Sequence, residues 1–278
     1  MGRADGKLVK DVNPEYRVAC YIMRERNDAQ NMIHLDIPVD PLNKYIRQKH
    51  GEGHNISHLA IIIAGYLRTC AEFKQLNHFV VNKKMYMHND FTCGMVVLKP
   101  GETDGTMSKM HFEFTDDIFA VQEKLDSYIA QNRQAGDTNA TDKLVRFLLS
   151  VPGLANFGSS LLMWMDKHGM LPRSIIEASP FHCTFSITNL ASIRTNYIYH
   201  HCYNFGTTSV FISMGNMVEV PTRSLLGVKT VRCLPLGVTM DERIASGSYF
   251  ATAFKRLKAY LSDPTQLEGA PAFELFSR

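Results

Sequence analysis

Hydrophobic and polar positions along the chain alternate between the two-residue period of β-strands and the longer period of helices. Residues 16–39 alternate loosely, which predicts two strands on either side of the polar turn RERNDAQ. Asp40 then predicts an N-cap, with Pro41 at the first position of a helix. Asn55 or Ser57 predicts the start of a longer helix, SHLAIIIAGYLRTCAEFKQL, which is apolar on nearly all faces and is expected to be deeply buried.

The rest of the chain repeats this mixture. FVVNKKMYMHNDFTCGMVVLKP predicts two β-runs joined by an Asn-Lys-Lys turn, and GTMSKMHFEFTDD predicts a further strand. Helices are predicted in IFAVQEKLDSYIAQNRQAG, DTNATDKLVRFLLSVPG and SSLLMWMDKHGMLP, and strands in FHCTFSITNL, TTSVFISMGNMVEV and KTVRCLPLGVTM. A last helix, GSYFATAFKRLKAYLSDPTQ, carries an apolar stripe. This order predicts one α/β domain over residues 1–278, a two-layer sandwich in which helices cover a mixed β-sheet, with its core at about 16–265.

Composition narrows the class of protein. Of the 278 residues, 45% are hydrophobic and 21% are charged, which is typical of a soluble globular protein. The formal net charge is +3 without a dense Lys/Arg run, so nucleic acid is not expected as a partner. The six cysteines are scattered, and neither they nor the histidines show a metal-ligand spacing. The longest apolar run, HLAIIIAGYL, is too short to span a bilayer, so we expect a cytoplasmic protein with no membrane partner.

Three segments carry a family resemblance: KQLNHFV, CTFSITNLASI and GVTMDERIASGSYFATAFKRLKAYLSDP. They resemble the catalytic core of the 2-oxoacid dehydrogenase dihydrolipoyl acyltransferases, a family that shares its fold with chloramphenicol acetyltransferase. The family has a Thr/Ser-rich strand end followed by Asn-Leu-Gly, and later Asp-His-Arg-x-x-Asp-Gly at the start of a helix. Residues 185–190 resemble the first motif and residues 241–247 the second, and Asn77 matches a Pro-x-Leu-Asn segment.

The resemblance covers about residues 30–265 and implies a fold, an activity and partners. It implies the coenzyme A-dependent acyltransferase fold and transfer of an acyl group between a thioester such as acyl-coenzyme A and a small acceptor. A metal is not expected, because no third ligand stands at a suitable spacing. It also implies self-association as a homotrimer or a larger cage. The family's lipoyl and subunit-binding modules are not expected, because about thirty residues precede the core.

The chain departs from the family at one position that matters for the chemistry. A histidine of the second motif takes the proton from the attacking thiol in the family, whereas Glu242 stands there in this chain, and Ser246 stands where the family usually has Asp. An imidazole has a pKa of about 6.5, close to working pH. A glutamate with an ordinary pKa of about 4.3 is a poor base for a thiol with a pKa of about 8.5, unless burial raises it.

Each candidate site residue has a functional and a structural interpretation. Glu242 is either a base in a dry channel or a carboxylate that pairs with a cation or caps the last helix. His200 and His201 are either substitute bases or packing residues in an aromatic cluster at an interface. Thr188 is either the hydroxyl that stabilises the oxyanion or an ordinary strand threonine. The resemblance also implies that Asn189, Ser246 and Gly247 bind the substrate. It implies that Asp241 and Arg243 brace the turn around the site.

Three functions stay open at this level. The first is a coenzyme A-dependent acyltransferase whose usual catalytic histidine is replaced. The second is a catalytically inactive structural or scaffolding homologue that forms trimers or larger assemblies, which the missing histidine and aspartate favour. The third is a binding module for an acylated carrier or for another core trimer.

Overall fold

The computed structural model describes residues 3–98, 105–133, 149–150, 153–224 and 227–270. Its α-helices are α1 (Pro14–Ile22), α2 (Val39–Gly51), α3 (His58–Glu72), α4 (Ile118–Arg133), α5 (Leu154–Lys167), α6 (Arg173–Ala178) and α7 (Gly247–Ser262). Its strands are β1 (Gly6–Leu8), β2 (Gln30–Pro38), β3 (His78–Val81), β4 (Lys84–His88), β5 (Phe91–Leu98), β6 (Gly105–Phe112), β7 (Phe185–Asn189), β8 (Val210–Met214), β9 (Val218–Ser224) and β10 (Gly227–Asp241).

The main sheet has seven strands in the order β2-β10-β8-β7-β5-β6, with β9 paired to β10 beside this path. Strand β7 runs parallel to both β5 and β8, and the other pairs of this sheet are antiparallel. A separate antiparallel sheet of three strands has the order β1-β4-β3. The α/β class with a mixed sheet, predicted from the sequence, is therefore confirmed.

Helices cover one face of the main sheet, and α3 lies at the centre of this layer, in contact with α4 and α7. Helix α3 begins where Ser57 was predicted to cap it, since the Ser57 hydroxyl accepts a hydrogen bond from Ala60 N at 3.1 Å. Residues 59–71 of this helix are all buried, as its apolar faces predicted. In β10, Leu236, Val238 and Met240 point into the same core.

Two local predictions were wrong. Residues 14–22 form helix α1 and not a strand, because the Asn13 side chain caps Glu15 N at 2.9 Å and Pro14 fits the first helical position. Helix α2 begins at Val39 with Pro38 at the N-cap, so Asp40 lies in the first turn and is not the cap.

Other segments agree with the sequence patterns more closely. The Asn-Lys-Lys turn joins β3 to β4, with Asn82 and Lys83 at φ of 48° and 63°, as a tight hairpin requires. The second of the two β-runs predicted around this turn contains two strands, β4 and β5, rather than one. The run TTSVFISMGNMVEV contains two strands, β8 and β9, rather than one. Most of the helix predicted in DTNATDKLVRFLLSVPG lies outside the described residues.

All six cysteines are free and buried. Burial raises the pKa of the Cys202 thiol to about 12 and keeps it protonated at neutral pH. No helix in the described ranges combines the length and the apolar character that a membrane crossing needs.

Candidate functional site

The turn that follows β10 is held by two arginines around one carboxylate. Asp241 is 0% exposed, and Arg243 donates to its two carboxylate oxygens from Nε at 2.8 Å and from Nη2 at 2.7 Å. Arg26 Nε lies 3.5 Å from Asp241 Oδ2, the oxygen that also accepts from Arg243 Nη2. Burial lowers the pKa of Arg26, and the charge of Asp241 opposes that shift only in part. These pairs fix the backbone immediately before and after Glu242.

Glu242 lies half-buried at the tip of this turn. Its backbone N donates to Ala29 O at 2.8 Å, and its carboxylate accepts a hydrogen bond from the side-chain amide of Asn31. The partner of Glu242 is therefore an amide on β2, whereas the sequence had suggested a cation or the end of the last helix. Nothing in the local sequence pointed to Asn31, because the two residues are 211 positions apart.

Ser246 is the N-cap of α7. Its hydroxyl accepts from Tyr249 N at 3.1 Å and lies 2.9 Å from the Ser248 hydroxyl. The next residue, Gly247, has nothing within 4 Å of the position where a Cβ would stand. The helix therefore starts with an engaged cap and an open glycine beside the Glu242 turn.

Thr188 and Asn189 end strand β7. Thr188 is half-buried opposite Ser213 of β8, and its side chain makes no hydrogen bond within the described part of the chain. Asn189 caps a 3-10 helix, Leu190–Ile193, since its side-chain oxygen accepts from Ser192 N at 3.1 Å. The Thr188 hydroxyl is thus free for a ligand, whereas the Asn189 oxygen is already engaged.

An irregular segment, residues 195–206, crosses the sheet face opposite the helices. Ile198 N donates to Ser213 Oγ at 3.1 Å, and the Tyr197 ring stacks on His34 at 5.3 Å. A Cβ at Gly237 would lie 2.5 Å from Ile198 O, so a glycine in β10 is needed for this close approach. We call this stretch the crossing segment.

The crossing segment carries His200 and His201. The His200 ring stacks on Phe211 with centroids 4.0 Å apart, and its Nδ1 lies 3.0 Å from His201 O. Because a carbonyl oxygen only accepts, Nδ1 carries the hydrogen and Nε2 carries the lone pair. Burial lowers the pKa of His200, so the ring is neutral at neutral pH. His201 is exposed and contacts the Tyr203 ring at 4.9 Å.

Thr188 and Glu242 lie on opposite faces of the main sheet. Met240 points into the helix-covered core, and its cross-strand partner Asn31 is on that same side, where it binds Glu242. Thr188 alternates with Ile187, which is also in that core, so Thr188 points to the other side. A single chain therefore does not bring these two side chains into one pocket.

His200, in contrast, lies on the Thr188 face. Thr188 pairs with Ser213, and Phe211, on which His200 stacks, is two residues from Ser213 on the same side of β8. Strand spacings of about 3.3 Å per residue and about 4.8 Å between strands place the Cα atoms of Thr188 and Phe211 about 8 Å apart. The same spacings place Thr188 and Glu242 about 19 Å apart.

Proteins of known structure share the fold of this chain. No protein-family model matches this chain, and no curated protein matches it. A probable dihydrolipoamide acetyltransferase from Listeria monocytogenes is 12% identical with a TM-score of 0.58, over 97% of this chain and 99% of that chain. The cubic core of the pyruvate dehydrogenase multienzyme complex is also 12% identical, with a TM-score of 0.58 over 93% of each chain. A chloramphenicol acetyltransferase is 11% identical with a TM-score of 0.57, over 92% of this chain and 99% of that chain.

The chain has the fold shared by chloramphenicol acetyltransferase and the dihydrolipoamide acetyltransferase cores, which we call the acetyltransferase fold. Structural likeness at identities of 11–12% shows the fold alone. At that level, the resemblance expected from the motifs is confirmed. Within this acetyltransferase fold, the Glu242 turn follows the long strand β10 and precedes the last helix α7, while Thr188 ends the parallel strand β7.

This chain also contains a buried cluster of charged side chains that its sequence did not indicate. Ligand atoms of Asp5, Asp166 and His182 lie within 4.8 Å of one another, which is an arrangement open to a metal ion. The Arg3 guanidinium lies among them, with Nε 2.9 Å from Asp5 and Nη2 2.5 Å from Asp166. Burial favours the neutral carboxyl, but His182 and Arg3 outweigh it and hold the pKa of Asp166 well below its usual range. The Arg3 guanidinium supplies the positive charge that a metal ion would otherwise bring to Asp5 and Asp166, so these residues do not fit a metal site.

Proposed function

We propose that this protein is a coenzyme A-dependent acyltransferase, which moves an acyl group between a thioester and a small acceptor. The likeness over 97% of the chain to a protein named as a dihydrolipoamide acetyltransferase supports this reaction class. The observation that carries the proposal is that His200 and Thr188, a neutral imidazole and an unpartnered hydroxyl, lie on one face of the sheet. A base and a hydroxyl donor are the two groups that acyl transfer to a thiol needs.

In this proposal His200 is the base. Its Nε2 lone pair takes the proton of the acceptor thiol or hydroxyl while that group attacks the thioester carbonyl. The lowered pKa of His200 keeps the imidazole unprotonated at neutral pH and available for this step. As the tetrahedral intermediate collapses, the C–S bond breaks and the proton passes from Nε2 to the leaving thiolate. General-base catalysis of this kind contributes about 10²–10⁴-fold to the rate.

Thr188 stabilises the intermediate. Its hydroxyl donates a hydrogen bond to the oxyanion that forms at the carbonyl, and one such donor contributes about 3 kcal/mol to a transition state. The absence of another partner for Thr188 within the described chain supports this role, because its hydrogen bond is available to the reacting group.

Glu242 takes part only if it comes from a second copy, since about 19 Å separate it from Thr188 within one chain. We therefore propose that the protein self-associates, as a trimer or a larger cage, with the Glu242 turn of one copy against the Thr188 face of the next. The cubic core with this fold supports an assembly of copies. There the Glu242 carboxylate favours the imidazolium that His200 becomes, Asp241 and Arg243 brace the turn, and Asn189, Ser246 and Gly247 border the acceptor pocket.

Acyl transfer from acetyl-coenzyme A to small thiols tests the proposal. We expect His200→Gln to lower kcat by about 100-fold or more, and His201→Gln, the neighbouring exposed histidine, to stay within about threefold of the wild type. If Glu242→Gln lowered kcat by about 100-fold while His200→Gln kept the kcat of the wild type, Glu242 would be the base. Such a result would contradict the role given to His200 but not the reaction class.

The second candidate is an inactive scaffold with the acetyltransferase fold. It is favoured by one observation, that the carboxylate of Glu242 stands where the resembling family has its basic imidazole and is held by the Asn31 amide. Native mass spectrometry and calorimetry separate the two candidates. Assembly into trimers with neither coenzyme A binding nor turnover supports the scaffold, whereas turnover excludes it.

A further inference from the structure

A cleft of about 600 Å³ lies between the loop that precedes β2, the β3–β4 turn and the C-terminal half of α5. It reaches Arg243 at its floor, but Thr188, His200 and Glu242 are not among its lining residues. A volume of this size is typical of sites for small organic molecules. We call this feature the basic cleft, for the charges described next.

Positive charge dominates the basic cleft. Five cationic side chains line it: Arg24, Arg26, Lys83, Lys167 and Arg243. Two carboxylates, Glu25 and Asp166, also line it. The three cations at its rim, Arg24, Lys83 and Lys167, are exposed and form no ion pair within the described ranges. Both carboxylates are engaged, since Asp166 binds Arg3 and Glu25 accepts from Asn204 at 2.7 Å.

The floor of the basic cleft also lacks a full set of counter-charges. Arg26 and Arg243 share a single carboxylate, Asp241. Arg26 is 2% exposed, and its buried Nε has no hydrogen-bond partner among the described residues. A buried cation without a full counter-charge favours the approach of an anion.

The walls of the basic cleft are apolar. Val80 and Val81 from β3, Met163 from α5 and Phe205 from the crossing segment all line it. Met163 is 50% exposed, so its side chain presents apolar surface that the described chain leaves open. Lys83 Nζ lies over the Tyr21 ring, 4.8 Å from its centroid, but no carboxylate of the described residues neutralises it. Rim cations without ion pairs, together with apolar walls, suit a ligand that has an anionic end and an apolar part.

We propose that the basic cleft binds a small organic phosphate, with the phosphate between Arg24, Lys83 and Lys167 and the apolar part against Val80 and Met163. A phosphate is favoured over a single carboxylate because it offers three acceptor oxygens and up to two negative charges to these separate cations. The proposal is independent of acyl transfer, since it uses none of the groups assigned to that reaction.

Calorimetry with phenyl phosphate, at fixed ionic strength, tests the proposal. The variant Lys83→Asn/Lys167→Gln removes two rim cations, and asparagine at position 83 tolerates the positive φ of 63° found there. The matched control is Lys255→Gln/Lys258→Gln, which removes two exposed lysines from α7. We expect the control to bind like the wild type and the cleft variant to bind about tenfold more weakly. In a separate salt series, the affinity of the wild type should fall as the ionic strength rises.

Two further measurements make the result decisive. Inorganic phosphate should bind the wild type about tenfold more weakly than phenyl phosphate, because it leaves the apolar walls unused. Met163→Glu, a change at a half-exposed position, should weaken phenyl phosphate binding by a similar factor. Equal affinity for the two phosphates, or unchanged affinity in the cleft variant, would overturn the proposal.

Discussion

Glu242 and Thr188 face opposite sides of the main sheet and lie about 19 Å apart within one chain. A substrate that contacts both residues must therefore lie between two copies. In the assembly that we propose, the Thr188 face of one copy lies against the Glu242 turn of the next.

Mixing two damaged variants tests this arrangement. We expect Thr188→Ala to lose about 100-fold in kcat, and Glu242→Arg to lose a comparable amount because a bulky cation replaces the carboxylate. When both chains are co-expressed in equal amounts, about one quarter of the interfaces in a cyclic assembly join an intact Thr188 to an intact Glu242. Activity should therefore recover to about one quarter of the wild type.

The control for this experiment is the pair Thr188→Ala and His200→Gln. Both positions lie on the same face of the same chain, so no mixed interface restores both, and co-expression should recover no activity. Recovery in the control pair without recovery in the test pair would contradict the assignment of faces.

Gly237→Ala should displace the crossing segment. The new Cβ would lie 2.5 Å from Ile198 O, which is backbone and has little freedom to move, so the segment and His200 must shift. We expect a loss of about 1–3 kcal/mol in the free energy of unfolding and a lower rate of acyl transfer. Gly51→Ala is the matched control, because nothing lies within 4 Å of its added Cβ and its stability should not fall. Urea unfolding and the transfer assay would detect both changes, and a fully active Gly237→Ala variant would disprove the constraint.

Arg3→Ala should strongly destabilise the protein. The Arg3 side chain is 3% exposed and neutralises Asp166, so its removal leaves a buried carboxylate beside His182 and the Gly206 backbone N–H, without a guanidinium. We expect a loss of about 3–5 kcal/mol in the free energy of unfolding. Arg173→Ala, at a side chain 72% exposed, should change it by less than about 0.5 kcal/mol. Equal effects of the two substitutions in urea unfolding would contradict the bracing role of Arg3.

Stability should fall as pH drops below neutral, in part because of His88. Burial lowers the pKa of His88 to about 3, and its ring nitrogens lie 3.0 Å from Asn77 O and 3.1 Å from Thr207 Oγ1. An unfolded histidine has a pKa of about 6.5, so between these two values the unfolded chain binds a proton that the folded chain does not. The free energy of unfolding therefore falls with decreasing pH, by about 1.4 kcal/mol per unit from this residue.

His88→Gln removes that contribution. Chemical unfolding at several pH values between about 6 and 4 should show a shallower pH slope for this variant than for the wild type. Burial also lowers the pKa of His78, to about 4, so part of the slope should remain. An unchanged slope would mean that His88 does not resist protonation in the folded state.

Features that depend on neighbouring residues were predictable from the sequence. The buried helix α3 with its Ser57 cap and the hairpin at Asn82 and Lys83 follow from periodicity and local turn chemistry. Residues 14–22 were predicted wrongly because a short, loosely alternating run fits both periods, and the cap at Asn13 and Pro14 decides for the helix.

The sequence by itself determined the α/β class, the resemblance to the acyltransferase motifs and the position of the Glu242 turn before the last helix, because each rests on local periodicity or a short pattern of neighbours. Only the tertiary structure decided what those residues contact. It placed Asn31 on Glu242 across 211 positions, set His200 on the Thr188 face, and collected the cations of the basic cleft. The reason is physical: strand register determines which face each side chain occupies, and register follows from the packing of the whole sheet.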